Sequence, residues 1–197
     1  METIGQYRAV FVADLAFETA DSSRLEHDLK SLERHGLVDT RTITQLGEDN
    51  SARVVALTDE GKSLLDDHRD PEQDGDQRYY GGWVKPAELS HDAALYHMVR
   101  DVEIELERHG EVVSRVVLDD ELKGRAYAEL HRLRDDEGHA DGDARVFVSN
   151  LQDLHLEDGH FVFPDVRLGR AHSGPRVIVL RQFSLHGTSS GRAWGHA

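Results

Sequence analysis

The sequence contains no cysteine, which excludes disulfide bonds, thiolate zinc sites and cysteine nucleophiles. It also lacks a long apolar run, since the longest, Ala9–Ala13, is far shorter than the roughly 20 residues of a membrane-spanning helix. No signal-peptide pattern precedes that run, so we expect a cytoplasmic protein without a membrane partner. A P-loop is missing, and no GxGxxG motif follows a strand, so no nucleotide cofactor is expected.

Basic residues are scarce relative to acidic ones. The 197 residues include 23 Lys plus Arg and 38 Asp plus Glu, a formal net charge of −15. This balance argues against a generally basic nucleic-acid-binding surface, but a single helix face can still be basic. Segment 83–144 is the most acidic, whereas segment 169–197 holds four bases and no acid. We therefore treat 169–197 as a separate basic tail, either a native DNA-contacting extension or a non-native or disordered end.

Residues 1–67 have the element order of a winged helix-turn-helix domain. The pattern predicts a buried helix, or a strand leading into one, over Tyr7–Phe17. It then predicts a capped helix over Arg24–His35, a hairpin of Arg41–Leu46 and Arg53–Leu57, and a helix over Asp59–Asp67 capped by Thr58. In the Arg24–His35 helix, Leu25, Leu29 and Leu32 form one apolar stripe.

The outer face of this helix is the candidate DNA reader. The residues expected to contact bases or phosphates are Arg24, His27, Lys30, Ser31 and Arg34 on the helix, and Arg41, Asn50 and Arg53 on the wing. Glu26, Asp28 and Glu33 share the helix, and acids at the wing tip would repel phosphate. The alternative is a protein-interaction winged helix whose charges only solvate its surface.

Residues 68–84 read as a linker, and 85–168 as a small α/β domain with a mixed sheet. Tyr79, Tyr80 and Trp83 are expected to pack the linker end onto this second domain. Its predicted elements are helices Glu88–His109 and Glu121–Leu133 (the latter capped by Asp119 or Asp120), a strand buried on both faces at Val112–Leu118, a loop at Arg134–Asp143, and strands Arg145–Val148, Leu154–Glu157, His160–Leu168 and Arg176–Leu180. Asp158-Gly159 predicts a hairpin turn.

The apolar stripe of the Glu88–His109 helix has two interpretations. Leu95, Val99, Val102 and Leu106 repeat at helical spacing and favour packing on the domain's own sheet. The same stripe would also suit the seam of a homodimer, which stays an alternative.

Several strings resemble a known family. DLKSLERHGLV from Asp28 and ALTDEGKSLL ending at Leu65 resemble the recognition helix, wing exit and closing helix of bacterial winged-helix DNA-binding proteins. HDAALYHMV from His91, RVVLDDELK from Arg115 and FPDVRL from Phe163 resemble proteins of conjugative and other mobile elements, similar to the plasmid replication-relaxation family. The resemblance spans about residues 7–168 and implies a winged helix joined to a restriction-endonuclease-like domain.

That resemblance raises a nuclease alternative, which needs clustered carboxylates for Mg²⁺ and a Lys near the attacking water. Pro164-Asp165 matches the first element of a PD-(D/E)xK site, and Glu103 or Glu107 would supply a further acid. The next strand, RVIVLR at Arg176–Arg181, has neither the acid nor the Lys. Mg²⁺ is expected only under this alternative. The 13 histidines show no HExxH or i, i+4 pair, so no metal site is predicted.

The sequence therefore predicts an α+β, DNA-binding protein, either a transcriptional regulator or a DNA-processing accessory factor of a mobile element. Its partner would be double-stranded DNA, and its nuclease-like domain has no evident catalytic competence. The alternatives are a metal-dependent nuclease that uses Asp165 and an acidic protein-interaction module.

Overall fold

The computed structural model describes residues 1–18, 22–44, 51–70, 76–136, 138–171 and 177–180. The chain is a mixed α+β protein that divides into two compact units, Met1–Arg115 and Val116–Ala197. This division differs from the boundaries predicted at 67 and 85. Every strand pair whose register is defined is antiparallel. Among the described residues, no helix is both long and apolar enough to cross a membrane.

The first unit consists of helices around a three-stranded sheet. Its elements are α1 (Glu2–Gln6), β1 (Val10–Phe11), α2 (Val12–Glu18), α3 (Ser22–Arg34), β2 (Val38–Thr44), β3 (Ser51–Leu57), α4 (Asp59–Asp67) and α5 (Pro86–Arg108). The sheet order is β1-β3-β2, with Val10 opposite Val55 and Val38 opposite Leu57. The predicted hairpin and the helix over Asp59–Asp67 are confirmed, and the strand-into-helix alternative describes Tyr7–Phe17.

The junction between β3 and α4 depends on two residues of the LTDEG string. Thr58 accepts a 3.0 Å hydrogen bond at Oγ1 from the Gly61 amide, which caps α4 as predicted. A Cβ on Gly61 would collide with the carbonyl of Leu37, so only glycine lets α4 approach the start of β2 this closely.

The end of the predicted linker packs on the first unit. The Tyr80 amide donates to the Gly5 carbonyl at 2.7 Å, and the Gly82 amide donates to the Leu57 carbonyl at 2.8 Å. Tyr79 and Tyr80 are buried there, and their rings receive guanidinium groups, including that of Arg69 over Tyr79 at 5.3 Å. The prediction that Tyr79, Tyr80 and Trp83 pack on the second domain is therefore wrong.

Helix α5 belongs to the first unit as well. Tyr96 meets Tyr7 edge-on with ring centroids 5.1 Å apart, and Arg8 lies 3.5 Å from the buried Asp92. The predicted stripe is buried, so its expected packing within the chain is confirmed, although the sheet it meets is a different one. The sheet that α5 packs on is that of the first unit, rather than the sheet of the predicted second domain.

The second unit has two small sheets and an α-helical pair. The strand β4 (Val112–Leu118) crosses the division between the units and is followed by α6 (Asp119–His131), a π-helical turn (Arg132–Asp136), α7 (Asp141–Gln152), β5 (His155–Glu157), β6 (His160–Val162), β7 (Val166–Ala171) and β8 (Val177–Leu180). The sheets are β4-β7-β8 and β5-β6. The core of the helical part contains Ala126, Leu130, Leu133, Ala144, Val148, Leu154 and Phe161.

Four local predictions in this unit are wrong. Arg145–Val148 is part of α7, because Ala144 and Val148 lie one turn apart and are buried together against α6. The predicted loop at Arg134–Asp143 begins inside the π-helical turn and ends inside α7, so both of its ends are helical. β4 is buried only at Val116–Leu118, and α6 begins after Leu118 without a side-chain cap.

The Asp158-Gly159 hairpin is confirmed, and both turn residues have positive φ, 48° and 77°. Its second strand is shorter than predicted, because β6 ends at Val162 and β7 is a separate strand in the other sheet.

The predicted tail is not a single separate segment. Gly169 pairs with Val177 and Leu168 with Ile178 in the β7–β8 ladder, and Ile178 is buried. The expected strand over Arg176–Leu180 is thus confirmed as β8. The segment 181–197 lies outside the described residues.

Candidate nucleic-acid interface

The exposed face of α3 gathers most of the predicted DNA-contacting residues of the helix. Leu29 is fully buried, and Leu25 and Leu32 lie on the same side of the helix. At 100° per residue, His27, Lys30 and Arg34 fall on the opposite side, and all three are exposed. Ser31 lies beside them but is half-buried. The predicted orientation of this helix agrees with the structure.

A shallow, open depression runs along the first half of this face. It is lined by Ser22, Ser23, Glu26, His27 and Lys30. Hydroxyl, imidazole and ammonium groups can donate hydrogen bonds, whereas the Glu26 carboxylate can only accept them. The surface can therefore contact a polyanion only where Glu26 is held away or neutralised.

The Glu26 carboxylate is in fact engaged by the hairpin. Arg53 of β3 donates from Nη1 to Glu26 Oε1 at 2.6 Å, and Thr40 of β2 donates to Glu33. Glu26 and Glu33 thus turn toward the hairpin that packs beside the helix. Arg24 Nε lies 3.8 Å from Asp28 Oδ2, one turn along α3. Two of the predicted DNA-contacting arginines are therefore partly neutralised by acids.

Arg41 lies on a different surface from the one predicted. Thr40 contacts α3 through Glu33, so its neighbour Arg41 lies on the opposite face of the sheet because strand residues alternate. There the Arg41 guanidinium stacks over the Trp83 ring at 4.3 Å, and its Nε lies 3.6 Å from Asp39 Oδ2. Trp83 Nε1 donates to the same carboxylate oxygen at 2.6 Å.

The Trp83 contact is one that sequence reasoning missed. Trp83 is separated from Arg41 by 42 positions and follows a segment that reads as a linker, so no local pattern connects them.

Asn50, the remaining predicted wing residue, lies outside the described residues.

With Arg24 and Arg53 paired to acids and Arg41 on another surface, Lys30 and Arg34 are the cationic groups that the α3 face offers to a ligand. The Lys30 ammonium has no partner among the described residues, and Arg34 donates from Nε to the Lys30 carbonyl at 3.2 Å. Arg34 also lies in the last turn of α3, where a cation is favoured by the helix dipole.

The residues of the nuclease alternative are divided between the two units. Asp165 accepts a backbone hydrogen bond from Asp119 at 3.2 Å, and the Asp119 carboxylate is bound by Lys123 at 2.6 Å. Glu103 and Glu107 belong to the first unit and lie 3.0 and 3.5 Å from Arg100. Within the described residues, no three His, Asp or Glu side chains converge as metal ligands.

A buried carboxylate next to the candidate reader is a second feature absent from the sequence prediction. Asp14 of α2 is largely buried, and its Oδ1 lies 3.5 Å from Nδ1 of His97 on α5. Burial raises the pKa of Asp14; His97 opposes that shift, and the neighbouring Asp101 adds to it. The second oxygen, Oδ2, is buried without a hydrogen bond among the described residues.

Comparisons with protein-family models, curated proteins and solved structures found no match to this chain. The resemblance to winged-helix proteins of mobile elements therefore stays a prediction.

Proposed function

We propose that the unit Met1–Arg115 is a winged helix that binds duplex DNA through α3. The main support for this proposal is that Lys30 and Arg34 are exposed on one face of α3, beside the β2–β3 hairpin. The element order and the sheet order β1-β3-β2 support a winged helix, because such domains place the hairpin next to the reading helix. Either a transcriptional regulator or a DNA-processing accessory factor would use such a unit.

The dimensions of α3 suit this function. Thirteen residues at 1.5 Å each make a helix about 20 Å long, and the major groove is wide enough for one helix. His27, Lys30 and Arg34 then point toward the base edges and the flanking phosphates. Arg53 lies on the hairpin beside them and exchanges Glu26 for a phosphate at low cost, because both side chains are exposed.

Charge limits the contact to this surface. A chain with a formal charge of −15 repels DNA overall, so binding must come from a few cations at close range. We expect a modest salt dependence, corresponding to a small number of phosphate contacts, each of which contributes about 0.9 to the slope of log K against log salt concentration.

The test is fluorescence anisotropy of a labelled duplex titrated with the protein at several salt concentrations. The double variant Lys30→Glu with Arg34→Glu should weaken binding by at least about 100-fold and lower the salt slope by about 2. The matched control, Lys123→Glu with Arg132→Glu, makes the same charge change in the second unit and should bind far better than the α3 variant.

Two outcomes would contradict the proposal in different ways. Unchanged binding by the α3 variant, with a steep salt slope, would assign the contact to the acid-free segment 181–197. No binding of any duplex by the wild-type protein at low salt would favour the acidic protein-interaction module.

A further inference from the structure

The outward side of α7 carries an apolar patch. Val146, Phe147 and Leu151 keep 53%, 53% and 57% of their surface exposed. At 100° per residue, Ala144 and Val148 come next around the helix beyond Leu151, and both are buried in the core of the second unit. The apolar surface of α7 is therefore wider than the part that the core of the second unit buries.

Two polar residues complete this surface. At 100° per residue, Asp143, Val146, Phe147, Asn150 and Leu151 fall within an arc of about 140°, which we call the α7 face. Asp143 and Asn150 are exposed, and neither side chain has a hydrogen-bond partner among the described residues. The face has no Lys or Arg.

We propose that the α7 face binds a second copy of this chain, with the two α7 helices antiparallel about a two-fold axis at Phe147. A two-fold contact must be complementary to itself, because each residue meets its own surface on the partner. Asp143 lies four residues before Phe147 and Asn150 three residues after it, about 6 Å and 4.5 Å along the helix. In the antiparallel pair, the carboxylate of each Asp143 is therefore level with the carboxamide of the other copy's Asn150.

This arrangement buries the apolar side chains of the face and gives its polar side chains hydrogen-bond partners. The two Phe147 rings meet at the axis, with Val146 and Leu151 beside them, and each Asn150 amide can donate to an Asp143 carboxylate. A membrane surface fits less well, because membrane-binding helices use basic residues that this face lacks. Three apolar side chains form a small interface, so we expect a reversible dimer with a micromolar dissociation constant. Dimerisation through the α7 face does not require DNA binding.

The first test is sedimentation velocity of the full chain from about 1 μM to about 300 μM. The wild type should show a reversible monomer–dimer equilibrium. Phe147→Glu places two carboxylates at the axis and should raise the dissociation constant by at least about 100-fold. Because Phe147 is exposed, the substitution should not disturb the fold, and the circular dichroism spectrum of the variant should match that of the wild type.

The control is Val112→Glu, which introduces the same charge at a valine that is 56% exposed on β4. Its dissociation constant should equal that of the wild type. A wild-type chain that stays monomeric, or a Val112→Glu variant that dissociates as readily as Phe147→Glu, would overturn the proposal.

A side-chain exchange tests the antiparallel register itself. Asn150→Asp sets two carboxylates opposite each other at both ends of the contact and should weaken the dimer by about tenfold or more. Adding Asp143→Asn restores one amide and one carboxylate at each contact, so the double variant should recover most of the wild-type affinity. Equal dissociation constants for Asn150→Asp and the double variant would contradict this register.

Discussion

The arginines of the first unit mainly hold acids and aromatic rings of the same unit. Arg41 stacks on Trp83 at 4.3 Å, Arg69 on Tyr79 at 5.3 Å and Arg8 on Tyr80 at 5.7 Å. Such contacts fix the segment that follows α4 onto the sheet. A basic residue near a predicted reading helix is therefore not by itself evidence of a DNA contact, because its side chain can be engaged by acids or aromatic rings of the same unit.

At the same scale, the buried Asp14 gives a prediction about pH. Its pKa is raised by burial, so its protonation stabilises the fold most below its ordinary pKa of 3.8, and that stabilisation is lost as pH rises through the higher folded value. Asp14→Asn removes the buried charge and should raise the melting temperature at pH 8. The gain should shrink toward pH 4, because Asp14 in the wild type becomes protonated.

Thermal melts from pH 4 to pH 8 would measure this effect, with Glu2→Gln as a matched control at an exposed carboxylate. An Asp14→Asn variant that is less stable than the wild type at pH 8 would show that the ionised pair with His97 stabilises the fold.

At the scale of elements, the least predictable segment was Arg145–Val148. Four residues with apolar neighbours suit a strand as well as a helix, and only packing against α6 selects the helix. By contrast, the helices around the Leu25, Leu29 and Leu32 stripe and the Leu95–Leu106 stripe extend over three or more turns. Their periodicity was long enough to predict both helices to within about two residues at each end.

The β7–β8 ladder leads to a prediction about truncation. Ending the chain after Leu168 removes β8 and with it Ile178, whose burial alone is worth about 1.5–3 kcal/mol. The fully buried Leu168 would also lose its partner on β8, Ile178. Since small domains have only about 5–15 kcal/mol of stability, we expect the second unit to lose its cooperative melting transition.

Calorimetry would measure this loss, and truncation after Leu180, which keeps β8, is the matched variant. If the two truncations melt alike, β8 does not contribute to the stability of the unit.

At the scale of the molecule, the division of the chain falls about 30 residues later than the predicted end of the linker at 84. Segment 76–85 and α5 complete the first unit, although their composition resembles a linker and a second domain. Acidic and glycine-rich composition is typical of a solvent-exposed segment. Tyr79 and Tyr80 nevertheless hold this segment on the first unit, because their large rings are buried there.

This division predicts which fragments fold. A fragment of residues 1–110 contains α5 and should melt cooperatively, with near-ultraviolet circular dichroism from Tyr7 and Tyr96. A fragment of residues 1–84, ending at the predicted linker, lacks α5 and exposes the surface that Leu95, Tyr96 and Val99 cover. It should lose both the cooperative transition and the near-ultraviolet signal.

If residues 1–84 melt as cooperatively as residues 1–110, the predicted boundary is the better description of the folding unit. Far-ultraviolet spectra of both fragments would separate loss of packing from loss of helix.

The sequence by itself determined the helix, hairpin and helix from α3 to α4, the cap at Thr58, the turn at Asp158-Gly159, and the outward face of α3. These features depend on residues within one or two turns of each other, where periodicity and capping chemistry decide the structure. Only the tertiary structure decided that Arg41 lies across the sheet on Trp83, that Glu26 pairs with Arg53, and that α5 completes the first unit. Those contacts join residues 27 to 89 positions apart, and local patterns carry no information about which distant partner a side chain will meet.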